Sequence, residues 1–162
     1  MQSSLTYLKD TKDVLLQLKE LTFDPSKEIM ITLDIESLYT SLPHKDTLEA
    51  IETLLFNEPW PYRTPRHFVL QCIDIALTKN VFQYQNDLYL QVHGTAMGST
   101  FAPSLAGLYV HQMESNTILA DTNPHRQNIT MWKRYIDNIF MIWSGDERTA
   151  ESFVMWLNNQ NP

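Results

Sequence analysis

Two acids set into apolar, strand-like runs constrain this chain more than any other feature. Ile29-Met30-Ile31-Thr32-Leu33 is short and rich in β-branched residues, and Asp34 closes it. A run of that kind reads as a buried strand. Residues 131 to 143 are apolar and aromatic, interrupted midway by Asp137-Asn138, which predicts strand, tight turn, strand. An acid at the end of a buried strand costs desolvation free energy unless something pairs with it. Two acids on neighbouring strands repel unless they share a cation. Mg²⁺ favours oxygen ligands and is often held by one or two carboxylates plus substrate phosphates. The residues alone therefore point to a carboxylate pair holding divalent metal for phosphoryl transfer. A plainer reading stays open at this stage, with Asp34 capping a turn and Asp137 an ordinary hairpin-turn acid.

The rest of the chain supplies the frame for such a pair. Residues 3 to 21 carry Leu5, Leu8, Leu15, Leu18 and Leu21 near one helical stripe, so an amphipathic helix is expected there, capped by Ser3 or Ser4. Further helices are expected from about Asp46 to Phe56, Pro65 to Thr78, Ala102 to Leu119 and Glu147 to Asn158. Residues 81 to 92 read as a hairpin turning at Gln85-Asn86-Asp87. Neither an internal repeat nor a linker is visible, and 162 residues that are 43% hydrophobic suit one domain with one core.

Composition removes several function classes. A single cysteine, Cys72, excludes a disulfide framework and a multi-cysteine zinc site, and its helical apolar surroundings predict a core position. The five histidines form no HExxH-like pair, so no zinc site is expected. No GxSxG elbow supports a serine nucleophile. No apolar stretch approaches the roughly 18 to 20 residues that span a bilayer. A basic region followed by an apolar one, as in a secretory signal, is also missing. Twelve basic against nineteen acidic residues give a net charge of −7, which argues against a free-standing nucleic-acid binder.

Order and spacing add specificity. Asp34-Ile35-Glu36-Ser37-Leu38-Tyr39 places an aromatic five residues after the acid, with Pro43 following. Gly94-Thr95-Ala96-Met97-Gly98-Ser99-Thr100-Phe101-Ala102-Pro103 is a glycine loop closed by Ala-Pro before a helix, and Tyr135-Ile136-Asp137-Asn138 comes last. In this order the three segments resemble motifs A, B and C of a reverse transcriptase palm. The wording SLYTSLPH, GTAMGSTFAP and WKRYIDNIFMIW is similar to the reverse transcriptase of Penelope-like retroelements, over roughly residues 3 to 158.

That resemblance implies an α+β fold, a ferredoxin-like polymerase palm whose antiparallel sheet carries the acids with helices on one face. It implies RNA-directed DNA synthesis with an RNA template, a DNA primer and deoxynucleoside triphosphates, without a membrane, in the nucleus. Asp34 and Asp137 would be catalytic metal ligands for two Mg²⁺ (or Mn²⁺), with the Ile35 carbonyl and Asn138 as further oxygens. Asn138 stands where the usual motif has a second acid, which weakens the metal site. Glu36, two residues past Asp34, falls on the same side of an extended chain. Tyr39 matches the aromatic gate beneath the sugar. Gly98 and Met97 would meet the incoming nucleotide, and Gly94 the template, because glycine lets backbone approach a ligand closely. Lys133 and Arg134, beside motif C, are placed for primer phosphates. The expected layout is one palm fragment with partial fingers over residues 1 to 162, with thumb and GIY-YIG-type endonuclease outside it. The acidic balance then fits a piece whose basic grip lies elsewhere. Two rivals remain: a decayed palm serving as a nucleic-acid-binding or interaction module, and another two-metal palm such as a nucleotide cyclase.

Overall fold

Alternating side chains along three strands build an antiparallel sheet in the order β1-β5-β4, from β1 (Glu28–Asp34), β4 (Ile129–Tyr135) and β5 (Asn138–Ser144). The ladder pairs Ile29 with Trp143, Ile31 with Met141 and Leu33 with Ile139, and on the other side of β5 it pairs Trp132 with Met141. These side chains form the core face, as period two requires. The next residues along each strand, Met30, Thr32 and Asp34, are exposed. β1 is thus a half-buried strand, not the fully buried one its apolar run predicts, and Asp34 stands on the solvated face.

The structure, a computed structural model, describes residues 6–160. It divides into two units, one made of the chain up to Glu36 with the stretch from Met113 onward, the other Ser37–Gln112. In the first unit, α6 (Glu147–Asn158) lays Ala150 and Phe153 on the core face of the sheet. Phe153 stacks on Trp143 at 5.1 Å between ring centroids and meets Trp132 edge-on at 6.1 Å. Asp146 caps α6 by accepting from the Thr149 backbone N–H, which is why the sequence and the structure start this helix at the same place.

The chain start differs from the expectation. Ser3 and Ser4 lie outside the described residues. The helix α1 runs only over Thr11–Glu20, with Asp10 as its cap. Ahead of it, Thr6 to Leu8 is extended: Arg134 N–H donates to the Thr6 carbonyl and Leu8 N–H to the Arg134 carbonyl, both at 2.7 Å. Leu8 is buried, so its leucine spacing reports a core contact rather than a helix face.

In the second unit, α2 (Leu38–Ser41) is a single turn, followed by α3 (His44–Asn57) and α4 (Arg66–Thr78). The hairpin β2 (Val81–Tyr84) and β3 (Asp87–Leu90) turns on Gln85-Asn86, so Asp87 belongs to the strand. α5 (Ala102–Asn116) closes the unit and stops a turn short of the expected end. Ile51, Leu77 and Leu105 form its core. Cys72 is exposed, which corrects its expected core position: α4 turns Leu77 inward instead. Among the described residues no helix is long and apolar enough to cross a membrane. The architecture is mixed α+β with an antiparallel sheet and helices, as expected.

Candidate metal centre

Asp34 is the last residue of β1 and pairs with Asn138, the first residue of β5. Asp137 sits one residue earlier, in the two-residue turn Ile136-Asp137 between β4 and β5. Ile35 N–H donates to the Asp137 carbonyl at 3.0 Å, which ties the end of β1 to that turn. The Asn138 side-chain N–H donates to Asp137 Oδ1 at 2.9 Å. Asp34, Ile35, Asp137 and Asn138 therefore gather at one edge of one sheet. Asp34 and Asn138 are exposed there, and Asp137 is half-buried.

These donors are all hard oxygens, the chemistry that Mg²⁺ prefers. Among the described residues no three His, Cys, Asp or Glu side chains gather as a cage. The residues fit a cation held by two carboxylates that takes its other oxygens from substrate and water. Asn138 supplies an amide where a second carboxylate would add charge, and its donated hydrogen bond occupies one oxygen of Asp137.

The turn itself is strained. Ile136 has φ 57°, a left-handed conformation that a β-branched residue rarely adopts. A positive φ at the first of two turn residues is where hairpins usually place glycine.

Lys133 and Arg134 part company because neighbours on a strand face opposite ways. Lys133 pairs with Phe140 on the same face as Asp34 and Asn138, two positions from Tyr135. It also contributes to holding the Asp13 carboxyl below its usual range, after hydrogen bonds from Gln17 and the Lys9 backbone. Arg134 pairs with Ile139 on the core face and is fully buried. Its Nε donates to Glu114 Oε1 at 2.8 Å. The expectation that Arg134 meets primer phosphates is therefore corrected: its guanidinium is enclosed and paired. Glu114, buried on α5, was not singled out from the sequence, because a helical acid looks solvated until its partner is known.

In the second unit, residues 39 to 44 and the glycine loop come together. Thr95 N–H donates to the Tyr39 carbonyl at 2.7 Å and Gly94 N–H to the Leu42 carbonyl at 2.9 Å. His44 Nε2 contacts the Gly94 carbonyl at 2.7 Å, and His93 Nε2 contacts the Ser41 carbonyl at 3.1 Å. Gly94 is buried with φ 71°, and a Cβ there would lie 2.6 Å from the Tyr39 and Thr40 carbonyl oxygens. Its missing side chain serves backbone packing against the Tyr39–Thr40 segment. Gly98 is open, with nothing within 4 Å of a built Cβ, and Met97 beside it is 70% exposed. Tyr39 is half-buried. A cavity of about 300 Å³ lies behind the loop, lined by Lys79, Asn80, Gln91, Thr95, Ser99 and Phe101 among others.

No protein-family model matches the chain, and no curated protein sequence does. Solved structures do match. Apo telomerase from Candida tropicalis, truncated from its C-terminal domain, superposes with a TM-score of 0.71 at 14% identity, over 94% of this chain and 32% of that one. Apo telomerase from the same organism gives a TM-score of 0.69 at 12% identity, over 93% and 29% respectively. This chain thus spans about a third of the telomerase chains it matches. At such identity the likeness is one of fold alone: this chain shares the fold of the matching part of those telomerase chains.

Proposed function

We propose that this chain is a reverse transcriptase palm fragment of a Penelope-like retroelement, built for RNA-templated DNA synthesis. The observation that carries the reading is the meeting of Asp34 and Asp137 at one sheet edge, from segments 103 residues apart whose order and wording match motifs A and C. The telomerase-like fold supports it.

The reaction joins the primer 3′-oxygen to the α-phosphorus of a deoxynucleotide and releases pyrophosphate. Two Mg²⁺ ions bound by the carboxylates would lower the pKa of the 3′-hydroxyl and offset the triphosphate charge. Asp34 and Asp137 would supply the negative charge that recruits them, and the hydrogen bond from Ile35 N–H to the Asp137 carbonyl ties the two acid-bearing segments together. Phosphoryl transfer needs mainly positioning and charge stabilisation, so a rigid strand edge suits it. Lys133, on the acid-bearing face, is the cation placed for primer phosphate. In the other unit Tyr39 is the flat ring that would reject a 2′-hydroxyl. Gly98 and Met97 offer an open surface for nucleotide. RNA template, DNA primer and deoxynucleotides are the partners of this reading, joined in the full-length protein by the remaining fingers, thumb and endonuclease. Its expected site of action is the nucleus.

A second reading has its own observation. Asn138 donates to Asp137 where a second acid is expected, so the palm of this copy would persist as a nucleic-acid-binding or interaction module. Primer extension on an RNA template, by the full-length protein with Mg²⁺, separates the two. Extension that is lost in Asp34→Ala and raised in Asn138→Asp supports the polymerase. Activity unchanged by Asp34→Ala, or none even with Asn138→Asp, removes it. Cyclic product from nucleoside triphosphate alone would assign a cyclase instead.

A further inference from the structure

The Asp137 turn is held from inside the core. Arg134 Nη1 donates to the Ile136 carbonyl at 2.9 Å. Ile136 is the left-handed residue immediately before Asp137. The same guanidinium is fixed by Glu114, through Nε to Oε1 at 2.8 Å and Nη2 to Oε2 at 3.3 Å. Glu114 is itself fixed, by Trp132 Nε1 at 2.9 Å and by the Thr6 hydroxyl at 2.8 Å. The Arg134 and Glu114 side chains are 1% and 0% exposed.

A buried ion pair is a poor device for stability, because two desolvated charges are often matched or bettered by apolar groups of the same volume. What the pair does supply here is direction. A planar guanidinium, held by one carboxylate, aims its remaining N–H groups along fixed lines. One of those lines ends on the carbonyl of a residue whose backbone conformation is unfavourable and persists only if its surroundings hold it.

We infer that Arg134, oriented by Glu114, is a positioning residue that holds the Ile136 turn so that Asp137 presents its carboxylate beside Asp34. The inference rests on the reading that these two acids bind a divalent cation. Outer partners of a metal site fix the angle of the ligand and typically change affinity or activity by about 10- to 100-fold when removed. Arg134 acts one step further back, through backbone rather than through the carboxylate.

The test uses the 162-residue chain and two variants. Arg134→Met with Glu114→Gln removes both charges together and leaves an acceptor for Trp132, so no charge is stranded in the core. Arg134→Lys keeps the charge against Glu114 but loses the planar fork that reaches Ile136. Amide hydrogen exchange and Mn²⁺ binding by electron paramagnetic resonance are read on each. The expected result is faster exchange at residues 135 to 138, unchanged protection inside β1 and β5, and Mn²⁺ affinity lower by about 10-fold. A folded variant with wild-type exchange at the turn and wild-type Mn²⁺ affinity overturns the inference and leaves the pair as core filling. If the double variant does not fold, Arg134→Lys decides by the same two readouts. If wild type itself binds no Mn²⁺, the metal-site reading fails, while the exchange data still decide whether Arg134 holds the turn.

Discussion

Asp34 and Asn138 face each other across the β1–β5 ladder, and the Asn138 amide turns to donate to Asp137 at 2.9 Å. The amide therefore satisfies one Asp137 oxygen where a further carboxylate would add negative charge. Asn138→Asp exchanges that hydrogen bond for repulsion among neighbouring carboxylates. Without metal the variant is expected to melt below wild type. With Mn²⁺ or Mg²⁺ it is expected to gain more than wild type, since ligand binding to the folded state stabilises by mass action. Melting temperatures with and without metal check this, and an equal metal-induced shift in both proteins counts against the site.

Gly94 and Gly98 are expected to behave oppositely when changed to alanine. Gly94→Ala forces a left-handed non-glycine, at about 1–2 kcal/mol, and drives a Cβ to within 2.6 Å of two carbonyl oxygens, so the total loss is larger. Gly98→Ala meets nothing within 4 Å and is expected to change stability by no more than about 0.5 kcal/mol. Urea denaturation measures both. If Gly98→Ala folds like wild type yet loses nucleotide incorporation, the open loop surface is the nucleotide contact.

Asp146 gives the fold a pH dependence of known sign. Its carboxyl is held below the usual aspartate range, first by the Thr149 backbone N–H and then by the Thr149 hydroxyl. A lowered folded-state pKa means that its contribution is complete above the unfolded value of about 4 and is lost as pH falls through the folded one. Asp24 is shifted the same way, first by the Ser26 side chain. Asp146→Asn keeps a capping oxygen without a titrating group. Its stability is expected to fall less than that of wild type between about pH 5 and pH 3. Denaturation midpoints across that range supply the comparison, and parallel curves would remove Asp146 from the account.

What the sequence showed, and what it hid, divides along a physical line. Local signals carried far: the helix expected from Glu147 to Asn158 is α6, and the apolar runs around Asp137 placed the hairpin. The approach of Asp34 to Asp137 was legible only through the order of the three motifs, since strand pairing over a hundred residues leaves no local trace. Non-local pairing also undid the long first helix, because Thr6 to Leu8 is extended by its bonds to Arg134. Arg134 was partly legible: alternation along β4 says that Lys133 and Arg134 face opposite sides, but not which one meets the core. Glu114 and the exposed Cys72 were hidden, because a helical pattern does not by itself say which stripe packs.

The central claim is that Asp34 and Asp137 share a divalent cation. Mn²⁺ titration of the 162-residue chain by electron paramagnetic resonance, with Mg²⁺ as competitor, tests it most directly against Asp34→Asn and Asp137→Asn. The account predicts Mn²⁺ binding by wild type that Mg²⁺ displaces, weakened by at least about 10-fold in each single variant. Wild-type affinity retained in either variant, in a protein that still folds, would contradict it.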